Sequence, residues 1–337
     1  MEDRLKKDKE EVLVAVCLVT YNQEKYIGAA IESVLAQKTD FSVDIIIGND
    51  CSTDGTLKVL NAYQKRYNNI IVLTNESNEG IVRNTISVFH YVFAHNYTYV
   101  AMLDGDDWWC DYKKLQMQVD FMENHLTYSM VYTRAATYNE KNKKWNHSYS
   151  CKKPQGDLFP TLIHNYPILN GTVLHRVSFL QNIDWDELIA CNLLYFDYPT
   201  NVMMAAQGPV GYIDRETLVW RRGYSSVSAP KSMVRALQHA DSQVAQGVFL
   251  AKKFPKTIYD MPMEIFENYR QQLYYTYGMG HKNYEVVHKA VQHINFPESM
   301  RKEIPASVWL NSKVMFLIYV YVVKKVKTCV QVLKRRT

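Results

Sequence analysis

The sequence predicts an α/β protein with a doubly wound, mainly parallel sheet covered by helices, and a helical appendage towards its C-terminal end. Short apolar runs alternate with segments of helical periodicity over the first hundred residues, and polar residues follow each apolar run. Beyond residue 226 the apolar spacing is helical. With 337 residues, of which 47% are hydrophobic and 22% charged, the chain can bury a large core.

Each predicted strand is a short, nearly continuous apolar run, and each predicted helix repeats apolar residues on one face. Polar turns such as Ser52-Thr53-Asp54-Gly55-Thr56 separate them. Strands that alternate with helices favour parallel pairing through right-handed crossovers. The predicted elements are strand 12–19, helix 26–35, strand 43–47, helix 57–63, strand 70–73, helix 83–93 and strand 99–103.

An acidic motif follows the last of these strands. Asp104-Gly105-Asp106-Asp107 comes directly after the apolar run and leads into Trp108-Trp109. Open α/β sheets bind ligands outside the carboxyl ends of their strands. Clustered carboxylates repel one another, and Mg²⁺ or Mn²⁺, which prefer oxygen ligands, would relieve that repulsion. The alternative is that the acids only cap the next helix.

Polar residues also follow the first two strands. Thr20, Tyr21 and Asn22 end the first strand and Asp50 ends the second, so we expect them at the same sheet edge as the acidic motif. The first strand is not followed by G-x-G-x-x-G, and the sequence has no G-x-x-x-x-G-K-[ST], which argues against a dinucleotide dehydrogenase and a P-loop enzyme. Tyr21 could stack on a base, Asp50 could accept an N–H from its edge, and a metal could bridge a diphosphate.

Four segments in this order resemble a family 2 glycosyltransferase with the GT-A fold. The resemblance covers about residues 12 to 225. The segments are Val19-Thr20-Tyr21-Asn22, the turn from Asn49 to Thr56, Arg83-Asn84 and Leu103 to Trp108; related segments are Lys114-Leu115-x-x-Gln118, Thr172 to Arg176, Phe196-Asp197 and Trp220-Arg221.

The resemblance implies a nucleotide site, a metal site and a catalytic base. The base would be Asp197, although an aspartate two residues before Pro199 could equally cap a helix. Either Asp106 or Asp107 would be the direct metal ligand. The implied nucleotide-binding residues are Thr20, Tyr21, Asn22, Glu24, Asp50, Arg83 and Asp104; the metal-binding residues are Asp104, Asp106 and Asp107; Trp108, Arg221 and Arg222 would lie at the donor sugar and diphosphate.

Two segments depart from the family pattern. The usual D-D-G-S turn reads Asn49-Asp50-Cys51-Ser52, and the usual Tyr-Arg-x-His reads Trp220-Arg221-Arg222-Gly223. Gly223 cannot ligate a metal, so either Arg221 and Arg222 would act on the diphosphate through their charge, or the closing loop would work differently. Residues 134–170, which include Trp145, are rich in Tyr, Asn, Lys and His and are typical of an acceptor-facing loop. Of Trp108 and Trp109, at least one is expected in the core.

The division of the chain is predicted as a charged tail at 1–11, a catalytic domain at 12–225, a helical extension at 226–305 and a basic amphipathic segment at 306–337. Seven basic residues follow Glu303, around an apolar run, 314–323, that is too short to cross a membrane. This segment is expected to bind an anionic membrane surface; the alternative is a terminal helix packed on its own domain. A recognisable nucleic-acid-binding module is lacking.

The starting segment has no apolar run of a secretory signal, and the six cysteines are scattered, so we expect a cytoplasmic protein, peripheral at the inner membrane face. The resemblance implies inverting transfer of a sugar from a UDP-linked donor to a surface polysaccharide or lipid-linked oligosaccharide. One alternative is a sugar-nucleotide pyrophosphorylase, whose glycine-rich loop after the first strand is missing. Another is a catalytically inactive sugar-nucleotide-binding protein. The sequence does not fix the oligomeric state.

Overall fold

The computed structural model describes residues 13–147, 154–164, 166–222, 232–255 and 263–292. The predicted tail at 1–11, Gly223 and the basic segment at 306–337 lie outside these ranges. Contacts divide the chain into two compact units with the boundary between Tyr224 and Ser225.

The first part of the first unit alternates strands and helices in the predicted order. Its apolar runs are buried because helices cover the sheet; every residue of the first strand after Leu13 is buried. In chain order the elements are β1 (Leu13–Thr20), α1 (Ile27–Leu35), β2 (Ser42–Asn49), α2 (Thr56–Arg66), β3 (Ile70–Thr74), α3 (Ile81–Ala94), β4 (Tyr99–Asp104) and β5 (Trp108–Trp109).

The second part of this unit is less regular, with short helices and a 3₁₀ turn at Asn170–Thr172. Its elements are α4 (Lys114–Glu123), β6 (Met130–Asn139), β7 (Lys144–Asn146), α5 (Phe159–His164), β8 (Leu174–Arg176), α6 (Val177–Leu180), α7 (Trp185–Ala190), α8 (Asp197–Ala205) and β9 (Val210–Arg222).

All nine strands form one sheet in the order β3-β2-β1-β4-β8-β6-β9-β5, with β7 paired to β6. The strands β1 to β4 pair in parallel, as predicted. The three-residue strand β8 then pairs antiparallel with both β4 and β6, so the sheet is mixed beyond the acidic motif. Strand order reverses between β1 and β4, and this switch point is where open α/β sheets form a ligand crevice.

A lysine is buried in this core. Lys114 has no exposed surface, and its Nζ donates a hydrogen bond to Oε1 of Gln118 at 2.6 Å and lies 4.3 Å from the Trp109 ring centre. The Gln118 amide in turn donates to the backbone carbonyls of Val131 and Thr172. These two side chains of the Lys114-Leu115-x-x-Gln118 segment therefore join α4 to β6 and to the 3₁₀ turn.

The second unit is helical in its described parts. Its helices are α9 (Met233–Lys253), α10 (Met263–Gly280) and α11 (Tyr284–Gln292). Ser232 caps α9 by accepting a hydrogen bond from the backbone N–H of Arg235. Hydroxyl groups of α10 contact α9, where Tyr274 donates to Asp241 and Tyr277 pairs with Nδ1 of His239. None of the helices within the described ranges is long and apolar enough to span a bilayer.

We expect the buried Lys114 to make stability rise with pH. Burial lowers the pKa of Lys114 to about 7, whereas the unfolded chain keeps the ordinary value. Between these two pKa values the unfolded state binds more protons, so raising the pH favours the folded state. Lys114 should contribute an increase of about 1.5 kcal/mol to the free energy of unfolding from about pH 7 to about pH 8.5. It is measured by urea denaturation as the difference between the protein and Lys114→Met, because the raised pKa values of Asp104 and Asp107 act in the opposite direction in both.

The variant Lys114→Met should lose this increase, because methionine does not titrate. The matched control is Lys113→Met, which changes the exposed neighbour of Lys114 and should keep the increase. An unchanged slope in Lys114→Met would contradict the assignment to Lys114.

Candidate functional site

The strand ends meet at the switch point between β1 and β4. Val19 pairs with Asp104, and Thr20 pairs with Asn49, so the ends of β1, β2 and β4 lie side by side. The backbone N–H of Asp50 donates to the carbonyl of Thr20. The structure thus brings together residues that the sequence predicted at one sheet edge.

The glycine of the acidic motif is required by a close approach. A Cβ atom at Gly105 would lie 2.4 Å from Oε1 of Gln23 and 3.0 Å from Cβ of Thr20. The Gly105 N–H donates to the carbonyl of Val19, and the Thr20 hydroxyl donates to Oε1 of Gln23 at 2.7 Å. The acidic motif therefore packs directly on the loop that follows β1.

Asp104 lies among other carboxylates. Its Oδ1 is buried and has no hydrogen-bond partner in the part of the chain that the structure describes. Burial, followed by the negative charges of Asp106 and Asp197, raises the pKa of Asp104 to about 7, and a hydrogen bond from Asn170 acts in the opposite direction. The fold thus brings Asp197 within electrostatic range of the acidic motif.

Asp107 joins the acidic motif to β9. It is 4% exposed, and its Oδ1 accepts a hydrogen bond from the backbone N–H of Arg221 at 2.8 Å. Burial, followed by the charges of Asp106 and Asp104, raises its pKa well above the ordinary value. Of the two acids that the sequence left open as the direct metal ligand, Asp107 is buried and Asp106 is half-buried. The choice between them stays a prediction.

The guanidinium of Arg221 lies between two aromatic rings. Its centre is 4.7 Å from the Tyr26 ring centre and 4.5 Å from that of Trp108. Its Nε donates to the backbone carbonyl of Asp106, and one terminal nitrogen donates to Glu140 at 2.7 Å. These contacts tie the arginine to the site wall, and its role at a diphosphate stays a prediction.

The other residues predicted around the donor sugar fall at different depths. Trp109 is 4% exposed and donates from its indole to the Gly171 carbonyl, which confirms that one tryptophan of the pair lies in the core. Trp108 is half-buried, and Arg222 is exposed with its guanidinium 4.7 Å from the Trp220 ring centre.

Asp50 holds the turn that begins α3. Its Oδ1 accepts hydrogen bonds from the side chain of Asn75 at 2.9 Å and the N–H of Glu79 at 2.8 Å, and its Oδ2 accepts one from the N–H of Gly80 at 2.9 Å. Gly80 has a φ of 85°, which favours glycine. Arg83 is exposed in the first turn of this helix. Oδ1 thus already accepts two hydrogen bonds, and only Oδ2 can accept another. Asp50 is 3% exposed, and its contact with a base edge stays a prediction.

Asn22 and Glu24 join the loops that follow β1 and β2. Oδ1 of Asn22 accepts from the N–H of Thr53 at 2.7 Å, and Oε2 of Glu24 accepts from the N–H of Gly55 at 2.7 Å. Their role in nucleotide binding stays a prediction. Tyr21 lies between the end of β1 and Asn22. It is 44% exposed, so its ring is accessible at the crevice.

Asp197 is the first residue of α8. Burial raises its pKa, and hydrogen bonding to the N–H groups at the start of the helix acts in the opposite direction. The charge of Asp197 also raises the pKa of Tyr166, after the larger effect of burial. Tyr166 accepts a hydrogen bond from Asn201 at 2.7 Å, and Asn201 in turn pairs with Nε2 of His175 at 2.6 Å.

Sequence reasoning missed several residues that support these acids. Asn170 was visible only as the start of an N-x-T triplet, although its side chain contacts Asp104. The sequence offers no spacing signal for the other supporting residues, because their contacts join separate elements. They are Asn75, Glu140, Tyr166, His175 and Asn201.

The acidic motif can be tested for its fit to a divalent cation. Among the described residues, no three His, Cys, Asp or Glu side chains are grouped as a metal site. Mg²⁺, however, is usually held by one or two carboxylates together with substrate phosphates. The unpartnered, buried Oδ1 of Asp104 beside Asp106 supplies hard oxygen donors of this kind. The residues fit a cation that shares its coordination with a diphosphate.

We expect Asp50→Asn to destabilise the protein. The amide would direct N–H groups at the N–H donors of Glu79, Gly80 or Asn75, so buried hydrogen bonds would be lost. The free energy of unfolding in urea should fall by about 2 kcal/mol. Glu76→Gln, a neutralising change at an exposed position nearby, should leave stability unchanged. If the two variants were equally stable, the hydrogen bonds that Asp50 accepts would not be needed for stability.

Comparisons with known proteins agree with this geometry. The chain is 27% identical over 218 residues to an uncharacterised protein of Mycobacterium tuberculosis, covering 62% of this chain and 58% of that protein's length. It is 34% identical over 94 residues to the dTDP-rhamnosyl transferase RfbG of Shigella flexneri, covering 27% of this chain and 32% of the relative.

The mannosyltransferase PcManGT from Pyrobaculum calidifontis, solved in complex with GDP-Man and Mn²⁺, has a similar structure. The TM-score is 0.52 at 12% identity, over 94% of this chain and 88% of the other. This likeness confirms the predicted GT-A fold. The family model described as Glycosyl transferase family 2 matches residues 15–181. The matched part of the chain, residues 15–181, therefore belongs to glycosyl transferase family 2.

Proposed function

We propose that this protein transfers a sugar from a nucleotide-diphosphate sugar, UDP-linked, to a hydroxyl group of a surface polysaccharide or lipid-linked oligosaccharide, with inversion at the anomeric carbon. The observation that carries the proposal is that Asp104, which ends β4 at the switch point of the sheet, lies within electrostatic range of both Asp106 and Asp197. Two of these three carboxylates suit a metal-bound diphosphate, and the third suits an attacking hydroxyl.

The nucleotide would bind across the ends of β1 and β2. The exposed ring of Tyr21 can stack on the base, and Asp50 can accept an N–H from the base edge through Oδ2. Thr20 lies at the end of the same strand, and the exposed guanidinium of Arg83 can reach phosphate oxygens. The names of RfbG and PcManGT, with dTDP-rhamnose and GDP-Man, support a nucleotide-diphosphate donor.

Asp104 and Asp106 would hold Mg²⁺ or Mn²⁺. When bound, the cation neutralises charge that develops on the leaving diphosphate. The presence of Mn²⁺ in the PcManGT complex supports this assignment. The buried Asp107, through the backbone of Arg221, keeps the acidic motif in place against β9.

Asp197 would act as the general base. The acceptor oxygen forms a bond to the anomeric carbon while the bond from that carbon to the diphosphate oxygen breaks, and the hydroxyl proton passes to the Asp197 carboxylate. Burial raises the pKa of Asp197, which makes the carboxylate a better proton acceptor than an exposed one. Tyr166, which accepts a hydrogen bond from the buried Asn201, lies within electrostatic range of Asp197.

The basic segment at 306–337 supports action at a membrane. Its positive charges and its apolar run suit an anionic inner leaflet, where a lipid-linked acceptor would be found. The pyrophosphorylase alternative loses support because residues 15–181 belong to a glycosyltransferase family. The inactive alternative predicts nucleotide binding without hydrolysis or transfer, which the experiments below separate.

We expect metal-dependent binding of one nucleotide. Calorimetric titration of UDP, dTDP, GDP and CDP, each with and without Mn²⁺, should give binding of UDP that requires the metal. In Asp106→Asn the affinity should fall by about tenfold or more, because one charged oxygen ligand is lost. The control Asp186→Asn, an exposed acid on α7, should bind normally. No binding of any nucleotide would contradict the proposed function.

We expect Asp197→Asn to separate binding from chemistry. The amide cannot take the acceptor proton, so the transfer rate should fall roughly a hundredfold or more, while calorimetry still detects the nucleotide. Transfer is measured as nucleotide release with a membrane extract as acceptor, and Asp186→Asn again serves as the control. Transfer near the normal rate in a folded Asp197→Asn variant would eliminate Asp197 as the base.

A further inference from the structure

Four rings form a continuous cluster beside the acidic motif. The aromatic platform, as we call it, consists of Trp108 on β5, Tyr138 on β6, Trp145 on β7 and His147 just after it. The ring centre of Trp145 lies 5.9 Å from that of Trp108, 5.0 Å from that of Tyr138 and 6.0 Å from that of His147, to which it is nearly parallel at 8°. The platform therefore runs from a half-buried ring to the surface.

The outer part of the platform is open to solvent. Trp145 is 50% exposed, and all three residues of β7 are exposed. Asn139 holds the turn before β7 by accepting hydrogen bonds from the backbone N–H groups of Lys141 and Asn142. The turn thus has polar contacts of its own, besides the cross-strand pair of Tyr138 and Trp145. A large apolar side chain in such a position is typical of a binding surface.

The platform is continuous with the proposed transfer site through Arg221. The guanidinium stacks on the Trp108 ring at 4.5 Å and donates to the backbone carbonyl of Asp106 at 2.8 Å. It also pairs with Glu140 in the turn between β6 and β7. A molecule lying on Trp145 would therefore be separated by one ring, Trp108, from Arg221 and its bond to the Asp106 carbonyl.

The turn beside the platform is positively charged, while Glu216 on β9 pairs with Nδ1 of His147 at 2.8 Å. The turn between β6 and β7 carries Lys141, Lys143 and Lys144 and only one acid, Glu140. Glu140 is already paired with both Arg221 and Lys143, and Lys143 lies 5.9 Å from the Tyr138 ring centre. Lys141 and Lys144 are exposed. Their charges attract a negatively charged partner.

We propose that the aromatic platform binds the acceptor saccharide, and that this saccharide carries negative charge as uronate or phosphate groups. The inference rests on the proposed function, which it extends to the acceptor. Sugar rings present flat C–H faces that pack on aromatic rings, and the flanking lysines pair with the anionic substituents. Neither the aromatic rings nor the lysines alone would select an anionic saccharide. Both together, beside the acidic motif, would.

The test is calorimetric titration of the full chain with three probes of equal length: trigalacturonate, a maltotriose phosphate and neutral maltotriose. We expect at least one of the two anionic probes to bind more tightly than maltotriose, and the tighter of them identifies the source of the charge. Trp145→Ala should weaken that binding by about tenfold or more. Trp145→Phe should recover part of the affinity, because a smaller ring still provides a stacking face.

Two matched controls keep the test specific. Tyr112→Ala removes an aromatic ring of similar exposure, 51%, outside the platform, and should leave saccharide affinity unchanged. The double variant Lys141→Glu/Lys144→Glu should weaken the anionic probe, whereas Lys58→Glu/Lys65→Glu, the same charge change on α2, should not. Thermal unfolding checks that each variant is folded.

The proposal is overturned if no probe binds, if neutral and anionic probes bind alike, or if Trp145→Ala binds as well as Tyr112→Ala. The nucleotide titration described above separates this outcome from failure of the proposed function. A protein that binds nucleotide with Mn²⁺ but none of the saccharides would refute the platform alone. If the protein binds the anionic saccharide but binds none of the four nucleotides, the proposed transferase activity alone is refuted.

Discussion

The backbone N–H of Arg221 on β9 donates a hydrogen bond to the buried carboxylate of Asp107, which follows β4. This bond joins the acidic motif to the second part of the sheet. Asp107 ends the loop that begins at β4, and Arg221 lies near the end of β9. The bond from Arg221 Nε to the Asp106 carbonyl and the pairing of β5 with β9 join the same two segments. A buried carboxylate without this partner would be costly, because burial opposes its charge. The contact also orients the Arg221 side chain between Tyr26 and Trp108.

Two sets of buried hydrogen bonds lie next to the acids of the site. Lys114 and Gln118 hold the carbonyl of Thr172, and the same 3₁₀ turn presents Asn170 to Asp104. A second set of hydrogen bonds joins β8 to α8. It runs from His175 through Asn201 to Tyr166, close to Asp197. Buried polar groups of this kind specify one arrangement, because each unsatisfied member would destabilise the fold.

The parallel half of the fold could be predicted because each of its strands is an apolar run long enough to be recognised as a strand. Each of its helices also repeats apolar residues at helical spacing along one face. Strands β7 and β8 have three residues each, which is too short for a period, so the antiparallel pairing was not foreseen. The acidic motif was predictable because it follows a strand directly. Asn170 and Tyr166 were not, because their contacts depend on how separate elements pack, which local sequence does not encode.

The arrangement around Arg221 also places two different surfaces of the site on either side of one side chain. One face of its guanidinium contacts Tyr26, at the start of α1 and next to the loop of Thr20 and Tyr21. The other face contacts Trp108, which begins the aromatic platform. The arginine thus separates the proposed nucleotide side from the proposed acceptor side, with the acidic motif beneath it. A guanidinium can fill this position because it stacks on two rings while its N–H groups bond in its own plane, which an ammonium group cannot do. Because these in-plane bonds go to Asp106 and Glu140, the partition is anchored both to the acids and to the turn that carries the platform.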